Sequence, residues 1–338
     1  MDSSVEGLCV AVDDWVAGAD TAVGAEIRET NRKDAFPEGV AVRLGREGRG
    51  LGENWVMFRL GCAVWSYKGW VGDFYPAGSR ASEFLRLYGR RLTTVEGNTT
   101  FYATPDPETV ARWAADTLSG FEFCLKLPRE LTHQGLLEPA IAGALSFLEQ
   151  MRGLGDRLGP IFAQLPPRYG PEFWEDLTTF LGAWSQENAE LALEVRHPDW
   201  FTEPYASQLN DLLEELGIGR VLLDSRPIYD TPEDVQISER RKPQLPLQRS
   251  VTAPFSLIRF ISHPQRELNQ SFLQEWVGVV DEWLHQGTRV YFFVHCPIEA
   301  RSPGTARYFQ RMLEQQGVSV PPLPWDSVDD TPTQLSLF

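Results

Sequence analysis

A strand-then-helix unit recurs along the chain from Phe58 onward, at intervals of about 30 residues, as βα units predict. Each of eight short apolar segments precedes a stretch with helical spacing or a crossover. The predicted strands span residues 59–65, 93–98, 121–127, 160–165, 191–196, 220–224, 255–261 and 290–295. Strands that are almost wholly apolar are typical of a parallel sheet covered on both faces. Eight such units predict an α/β fold of the TIM-type (β/α)8 barrel class, with a doubly wound open sheet as the alternative.

Three stretches lie outside this rhythm. Residues 1–56 are acidic, rich in Gly and Ala, and keep no sustained period, so we predict a poorly structured N-terminal extension. We interpret Met57 as the initiator, with a natural disordered arm as the alternative. Residues 225–254 are Pro-rich, which predicts a long loop that replaces or shortens helix six. Residues 321–338 form a predicted flexible acidic tail beyond a barrel domain at 57–320.

Charge and cysteine usage limit the partners and the compartment. The formal net charge of −16 opposes broad, sequence-independent DNA binding, although a local basic patch can still bind nucleic acid. No apolar run approaches the ~20 residues that span a bilayer, and we find no signal peptide. The four cysteines have neither metal-type nor redox spacing. We therefore expect a cytoplasmic protein without a membrane partner.

Polar side chains close the predicted strands at a common end. Active sites of such barrels lie at the C-terminal ends of the strands, and alternation along each strand predicts which side chains point inward. The catalytic candidates are Glu96, Lys126, Glu194 and Asp224. The candidates for substrate binding are Trp65, Tyr67, Asn98, Tyr102, Arg129, Gln164, Arg196, His197, Trp200, Arg259 and His295. Any one inward polar residue fits a buried ion pair equally well, but the whole set at one end favours a site.

The charges of this set indicate the chemistry. Lys126, Arg196 and Arg259 in one cavity suit an anionic ligand, a phosphate or a carboxylate, with arginine as the bidentate partner. Glu96 or Glu194 is a candidate general base, and Lys126 a candidate acid or imine-forming amine. Aromatic residues beside them suit stacking on a sugar or a base.

A divalent metal site is the alternative, although no cofactor is predicted. Four histidines follow or end predicted strands, at His133, His197, His263 and His295. Together with Glu and Asp they are residues of the types that bind divalent metals. The three cations expected in the same cavity oppose that reading.

Five stretches resemble the domain-of-unknown-function 72 (YecE-like) family. They are Gly61–Trp70 with Phe74–Pro76, Val95–Tyr102, Lys126–Arg129 with Thr132–His133, Gln164–Pro167, and Glu194–Pro198 with Trp200–Phe201. The resemblance extends from Phe58 to about Gln316 and implies a TIM-type barrel without a settled activity. The chain departs from the family at Gly97, where a larger residue is usual, and at His295–Cys296, where many members carry paired asparagines.

The C-terminal residues resemble the short peptide with which bacterial replication and repair proteins bind the β sliding clamp. The predicted partner-binding residues are Gln334, Leu335, Leu337 and Phe338. A flexible tail that presents Leu and Phe anchors suits an apolar groove. The alternative is an apolar C-terminus that packs against the protein's own barrel.

These observations leave three functions open. The first is an enzyme, a hydrolase, lyase or isomerase, that uses acid–base chemistry on an anionic or sugar-containing small molecule. The second is a nucleic-acid processing protein that is similar to repair nucleases and is recruited to DNA by its tail. One form of this hypothesis includes a catalytic metal. The third is a barrel that binds a ligand without catalysis.

Overall fold

The computed structural model describes residues 57–231, 235–236 and 241–327. Within these residues, parallel strands alternate with helices, and each strand overlaps its predicted segment. The strands are β1 Phe58–Cys62, β2 Thr94–Gly97, β3 Glu122–Leu125, β4 Ile161–Gln164, β5 Leu191–Glu194, β6 Gly219–Asp224, β7 Phe255–Ile261 and β8 Arg289–His295. The predicted N-terminal extension and the clamp-like residues 334–338 lie outside the described residues.

Amphipathic helices connect the strands. They are α1 Phe84–Tyr88, α2 Pro107–Asp116, α3 Arg129–Thr132, α4 Ile141–Met151, α5 Trp174–Ser185, α6 Tyr205–Leu216, α7 Arg226–Tyr229, α8 Gln270–His285 and α9 Ser302–Gln315. Local chemistry sets their ends: the Asp106 carboxylate accepts the Thr109 amide hydrogen at 2.7 Å and caps α2, with Pro107 in its first turn. Among the described residues, no helix is both long enough and apolar enough to cross a membrane.

The strands form an α/β fold with a curled parallel sheet of six strands, in the order β1-β8-β7-β6-β5-β4. Strands β2 and β3 pair as a second parallel sheet. Backbone hydrogen bonds join the two sheets at both edges: Thr93 donates to the Leu60 carbonyl at 3.1 Å, and Leu127 donates to the Phe162 carbonyl at 2.9 Å. Gly61 lies so close to the Thr94 carbonyl that no Cβ atom fits there, which explains a glycine in a buried strand.

Alternation along the strands divides the core into two layers. One face carries an apolar cluster without helical residues, which includes Phe162, Val221, Leu257 and Phe293. The opposite face packs against the helices in a larger cluster. Above the first cluster, toward the carboxyl ends of the strands, the residues of the same parity become polar. This change positions the candidate site.

The crossover from β6 to β7 has little helix, as its Pro-rich composition predicts. It begins with the four-residue helix α7, and residues 241–254 contain no helix. Two hydrogen bonds fix its described part to the rest: the Ser225 hydroxyl donates to the Pro243 carbonyl at 3.0 Å, and the Tyr229 hydroxyl donates to the Lys242 carbonyl. Lys242 is thereby held against α7, and its charge lowers the pKa of His295 at the end of β8.

Candidate functional site

Arg259, in the middle of β7, is the centre of a buried polar cluster. Its Nε and Nη2 atoms donate to the two carboxylate oxygens of Glu96 in β2, at 2.8 and 2.9 Å. Its Nη1 atom donates to Glu194 Oε2, at the end of β5, at 2.6 Å. Arg259 and Glu96 are 0% exposed and Glu194 is 1% exposed, so the guanidinium is compensated by two carboxylates without help from solvent.

Glu194 connects this centre to three further side chains. Its Oε1 atom accepts from Gln164 Nε2 at 2.9 Å and from Arg196 Nε at 2.6 Å. The Gln164 amide oxygen in turn accepts from Lys126 Nζ at 2.8 Å. Lys126 follows β3 and lies over the Phe101 ring, with Nζ 3.6 Å from the ring centroid. Side chains that end β3, β4 and β5 are therefore joined in one network.

Glu96 is held from the other side by Asn98 and His295. Asn98 Nδ2 donates to Glu96 Oε1 at 2.8 Å, and His295 Nε2 lies 3.0 Å from Glu96 Oε2. Burial lowers the pKa of His295 although Glu96 opposes this, so the ring is neutral at physiological pH. A neutral ring that donates through Nε2 leaves Glu96 as a fully occupied acceptor.

Both carboxylates stay ionised. Burial opposes ionisation of Glu96, but the charge of Arg259 and the hydrogen bond from His295 outweigh it and hold the pKa of this carboxyl well below its usual range. Burial acts in the same way on Glu194, and Arg259 and Arg196 hold its pKa below the usual value. Because their oxygens already accept these hydrogen bonds, the two groups are suited to orient the cations rather than to move protons.

The cluster carries more positive than negative charge. Its cations are Lys126, Arg196 and Arg259 and its carboxylates are Glu96 and Glu194, and all five side chains are buried. Arg196 Nη2 and Asn98 Oδ1 are buried and have no hydrogen-bond partner within the described part of the chain. A buried donor on a guanidinium without a partner is costly unless a ligand or water accepts from it.

Two further cations, Arg129 and Arg168, are exposed in the segments that follow β3 and β4 and act on His133. Burial, together with the charges of Lys126, Arg196, Arg129 and Arg168, lowers the pKa of His133 to about 3. Arg168 also donates to the His133 carbonyl, and the His133 ring packs edge-on against Phe101. We call His133, Arg129, Arg168, Arg196 and Lys126 the cationic mouth.

The sequence analysis missed part of this mouth. It did not consider Arg168, and it treated His133 only as a potential metal ligand. The signal is present in the spacing, because Arg129 follows Lys126 by three residues and Arg168 follows Gln164 by four. Each residue thus lies in the loop after a strand that ends in a site residue, where binding groups concentrate in parallel α/β folds.

Comparison with known proteins assigns the family. A family model described as "Protein of unknown function DUF72" matches residues 59–328. The chain belongs to the DUF72 family. The resemblance drawn from the sequence motifs is confirmed, and the match includes every member of the buried cluster and the cationic mouth.

Two YecE proteins of Escherichia coli are relatives of this DUF72 chain. It is 34% identical to the UPF0759 protein YecE of Escherichia coli strain K12 over 286 residues, which cover 83% of this chain and 100% of YecE. The YecE protein of Escherichia coli O157:H7 matches with the same identity and coverage.

Solved structures of two other family members have a similar fold. A crystal structure of a DUF72 family protein from Enterococcus faecalis V583 superposes with a TM-score of 0.60 at 18% identity, and covers 76% of this chain and 96% of its own. A DUF72 family protein from Thermotoga maritima MSB8 gives a TM-score of 0.56 at 20% identity, and covers 76% of this chain and 99% of its own. At these identities the likeness describes the fold alone.

Asp224 does not join the buried cluster of the DUF72 chain, and its predicted inward position is wrong. The inward residues of β6 are Val221 and Leu223, so Asp224 faces the helices. Its carboxylate accepts two hydrogen bonds from the Arg226 guanidinium, at 2.9 and 2.8 Å, one from the Arg226 amide, at 3.2 Å, and one from Trp276 Nε1 in α8, at 2.8 Å. Asp224 therefore fixes α7 and α8 to the end of β6.

Replacing Asp224 with asparagine is expected to lower the free energy of unfolding by about 2–3 kcal/mol, because it leaves the Arg226 guanidinium with a weaker partner beside a buried amide. Urea denaturation at neutral pH measures the effect. Asp211→Asn, at an exposed position of α6, is the matched control and is expected to change stability by less than about 0.5 kcal/mol. Equal stability of the two variants contradicts the structural role of Asp224.

The predicted aromatic lining is largely part of the core. Trp65 packs edge-on against Trp113 and Phe123 on the helix side of the sheet, so its predicted place at the mouth is wrong. Trp200 is 0% exposed and donates through Nε1 to the Tyr169 carbonyl, so its predicted role in binding is also wrong. Tyr67 packs edge-on against Trp70. Tyr102 is 37% exposed and packs against Phe101, beside the cationic mouth.

Two predicted residues lie at the rim. Arg129 begins α3 and is exposed, as part of the cationic mouth. His197 follows Arg196, is half-buried, and accepts the Asp199 amide hydrogen at Nδ1 at 3.2 Å, so it caps a short turn. Asn98, Gln164, Arg196, Arg259 and His295 all belong to the buried cluster described above.

The four histidines do not form a metal centre in the described part of the chain. There, no group of three or more His, Cys, Asp or Glu residues has a metal-binding arrangement. Physical reasons agree with this observation: cations surround His133, and His295 already contacts Glu96 beside Arg259.

Proposed function

We propose that this DUF72 protein binds an anionic small molecule, through a phosphate or carboxylate group, at the cationic mouth. The observation that carries the proposal is the buried Arg196 Nη2 atom, which lacks a partner among the described residues and belongs to a cluster with three cations and two carboxylates. Arginine with one edge fixed by a carboxylate presents its other edge as a preorganised donor pair for an oxyanion.

We also propose that the eight strands close into a (β/α)8 barrel. Hydrogen bonds between β1 and the residue before β2, and between β4 and the residues after β3, support closure of the six-stranded and two-stranded sheets into one ring. A closed ring puts the ends of β2, β3, β4, β5, β7 and β8 around one opening, where ligands of such barrels bind. The contacts among Glu96, Lys126, Gln164, Glu194, Arg259 and His295 are those that closure predicts.

Within this proposal the buried residues have distinct roles. Glu96 and Glu194 orient Arg259 and Arg196, and Gln164 orients Lys126. Lys126 and Arg196 then contact the anionic group, while Arg129 and Arg168 attract it from solvent. In the enzymatic form of this proposal, the protein is a hydrolase, lyase or isomerase that uses acid–base catalysis on a bound sugar-containing or other anionic substrate. In the non-catalytic form, the protein binds its ligand at the same mouth without turnover.

Replacing Arg196 with glutamine is expected to weaken the binding of sulfate at least tenfold, since both the charge and the unpaired Nη2 donor are lost. Isothermal titration calorimetry of the full chain at pH 7 and constant ionic strength measures the dissociation constant. Arg168→Gln, at an exposed position of the mouth, is expected to weaken binding about threefold by loss of a screened charge.

Arg112→Gln serves as the control for this experiment, because Arg112 is exposed on α2 and donates only to Thr109 in the contacts described. Its sulfate affinity is expected to match that of the wild type. Unchanged affinity in both Arg196→Gln and Arg168→Gln contradicts an anion site at the mouth.

Recruitment by a sliding clamp remains a separate proposal, since residues 334–338 lie outside the described residues. Its support is the sequence of the tail alone. A synthetic peptide of residues 333–338 that fails to bind purified clamp at high micromolar concentration contradicts it.

A further inference from the structure

A third carboxyl group, Glu299, lies near the same end of the strands and is absent from the sequence candidates. It begins the short turn Glu299–Arg301 between β8 and α9, and Trp70 Nε1 fixes this turn by donating to the Glu299 carbonyl at 3.1 Å. Its Oε1 atom is buried and has no hydrogen-bond partner among the described residues. An unsatisfied buried carboxyl oxygen is unusual and calls for a proton, a ligand or a water.

The surroundings of Glu299 differ from those of Glu96 and Glu194 because no arginine pairs with it in the contacts described. Burial raises the pKa of Glu299 to about 8, and the negative charge of Glu96 adds to this effect. The neighbouring Ser302 hydroxyl opposes this rise most strongly, and the charge of Lys242 from the β6–β7 crossover opposes it as well. The charge of Lys242 also lowers the pKa of His295, which ends β8 four residues before Glu299 and whose Nε2 atom lies 3.0 Å from Glu96 Oε2.

Arg301 lies in the same turn as Glu299, and three further titratable groups around Glu299 carry no charge at neutral pH. Burial raises the pKa values of the Cys62 thiol and the Tyr88 hydroxyl well above their usual ranges, and that of Cys296 to about 11. Glu299 is therefore a neutral acid between an ionised carboxylate and a lysine, on the β8 side of the cluster. The cationic mouth lies on the β3–β5 side.

We propose that Glu299 is the proton donor of this site, and that the molecule bound there carries a neutral hydroxyl, ether or carbonyl oxygen beside its anionic group. The inference rests on the proposed anion site. The cations at the mouth hold the anionic group, and the Glu299 carboxyl faces the neutral oxygen. The proton passes from Glu299 to that oxygen and leaves a carboxylate, whose charge Lys242 compensates.

The pKa of a proton donor in this site changes when an anion binds, whereas the pKa of a carboxyl group that is buried only for packing does not. A negative charge at the mouth raises the pKa of Glu299 further, so binding at pH 8 takes up protons. A rise of half a pKa unit corresponds to an uptake of about 0.2–0.3 proton per bound anion. Sulfate is the suitable probe, because it does not titrate near this pH.

The experiment combines two measurements on the full chain. Infrared spectroscopy follows the carbonyl band of protonated carboxyl groups from pH 6 to pH 10, in the wild type, in Glu299→Gln and in the exposed control Glu108→Gln. Calorimetry of sulfate binding at pH 8, in buffers with different ionisation enthalpies, gives the proton uptake for each protein. Lys242→Gln is a second variant, in which the titration of the band is expected to move to higher pH.

The proposal predicts a band that titrates near pH 8, disappears in Glu299→Gln and persists in Glu108→Gln. It also predicts that Glu299→Gln still binds sulfate but without proton uptake. Absence of the band, or sulfate binding without uptake in the wild type, overturns the role of Glu299 while the anion site stands. Presence of the band without any sulfate binding overturns the anion site and, with it, the donor role.

Discussion

Replacement of Arg259 by methionine is expected to lower the free energy of unfolding by about 3–5 kcal/mol, the cost of leaving buried charges without their partner. Arg259 is 0% exposed and donates to both Glu96 and Glu194, so its loss leaves two buried carboxylates without their cationic partner. Without the arginine, burial raises the pKa values of both groups, and the variant is expected to recover stability as the pH falls. Urea denaturation at pH 5 and pH 7 measures both effects.

The matched variants separate charge from packing. Arg112→Met removes an exposed arginine and is expected to change stability by less than about 0.5 kcal/mol. The triple variant Arg259→Met, Glu96→Gln, Glu194→Gln removes the stranded charges and is expected to regain a large part of the loss. If Arg259→Met is as stable as Arg112→Met, the buried cluster is not organised around Arg259.

Glu299→Gln is expected to stabilise the protein at alkaline pH. The folded pKa of about 8 lies above the usual value of this carboxyl, so the folded chain holds a proton that the unfolded chain releases between these two values. Stability of the wild type therefore falls as the pH rises from about 4.5 to 8 and levels off above that range. At pH 9 the variant is expected to exceed the wild type by up to about 4 kcal/mol.

Denaturation midpoints from pH 4 to pH 9 test this expectation as a difference between the two proteins, which cancels the contributions of all other groups. The two curves are expected to coincide near pH 4 and to diverge toward pH 8. Glu108→Gln is the exposed control and is expected to follow the wild type at every pH. Parallel curves for Glu299→Gln and the wild type contradict a protonated Glu299.

The sequence predicts the strands well because burial on both faces leaves a simple signal. All eight predicted segments overlap the observed strands, and the residues that end β2, β4, β5, β7 and β8 meet in one cluster. For those strands the polar residue falls on the face that carries the inner apolar cluster, as in β7, where Leu257 precedes Arg259 by two residues. The hydrogen-bonded clustering of these groups follows from parity and from the parallel arrangement.

The same reasoning fails at β6, because alternation does not state which parity faces inward. Between Arg220 and Asp224 both faces of this strand are apolar, and the inward position predicted for Asp224 rests on analogy with the neighbouring strands. The deciding contacts come from Arg226 and from Trp276, 52 residues further along the chain. No local sequence pattern predicts a hydrogen-bond partner that lies so far along the chain.

Aromatic residues show a second limit. Trp65 and Trp200 follow strand ends, as lining residues do, yet both fill space between the sheet and the helices. Their large apolar area is buried more effectively in that layer than at an exposed mouth. Conversely, Glu299 follows β8 by four residues, and its unusual environment depends on Lys242 from another loop. The environment of such a residue depends on segments that are distant in sequence and close only in the folded structure.

A crystal structure of the full chain grown with selenate tests the central claim most directly, because selenium gives an anomalous signal that separates the anion from water. The account predicts a selenate oxygen within about 3 Å of Arg196 Nη2, next to Lys126, and no selenate there in Arg196→Gln crystals. Selenate ordered elsewhere on the protein, with only water at Arg196 in the wild type, contradicts the proposed anion site.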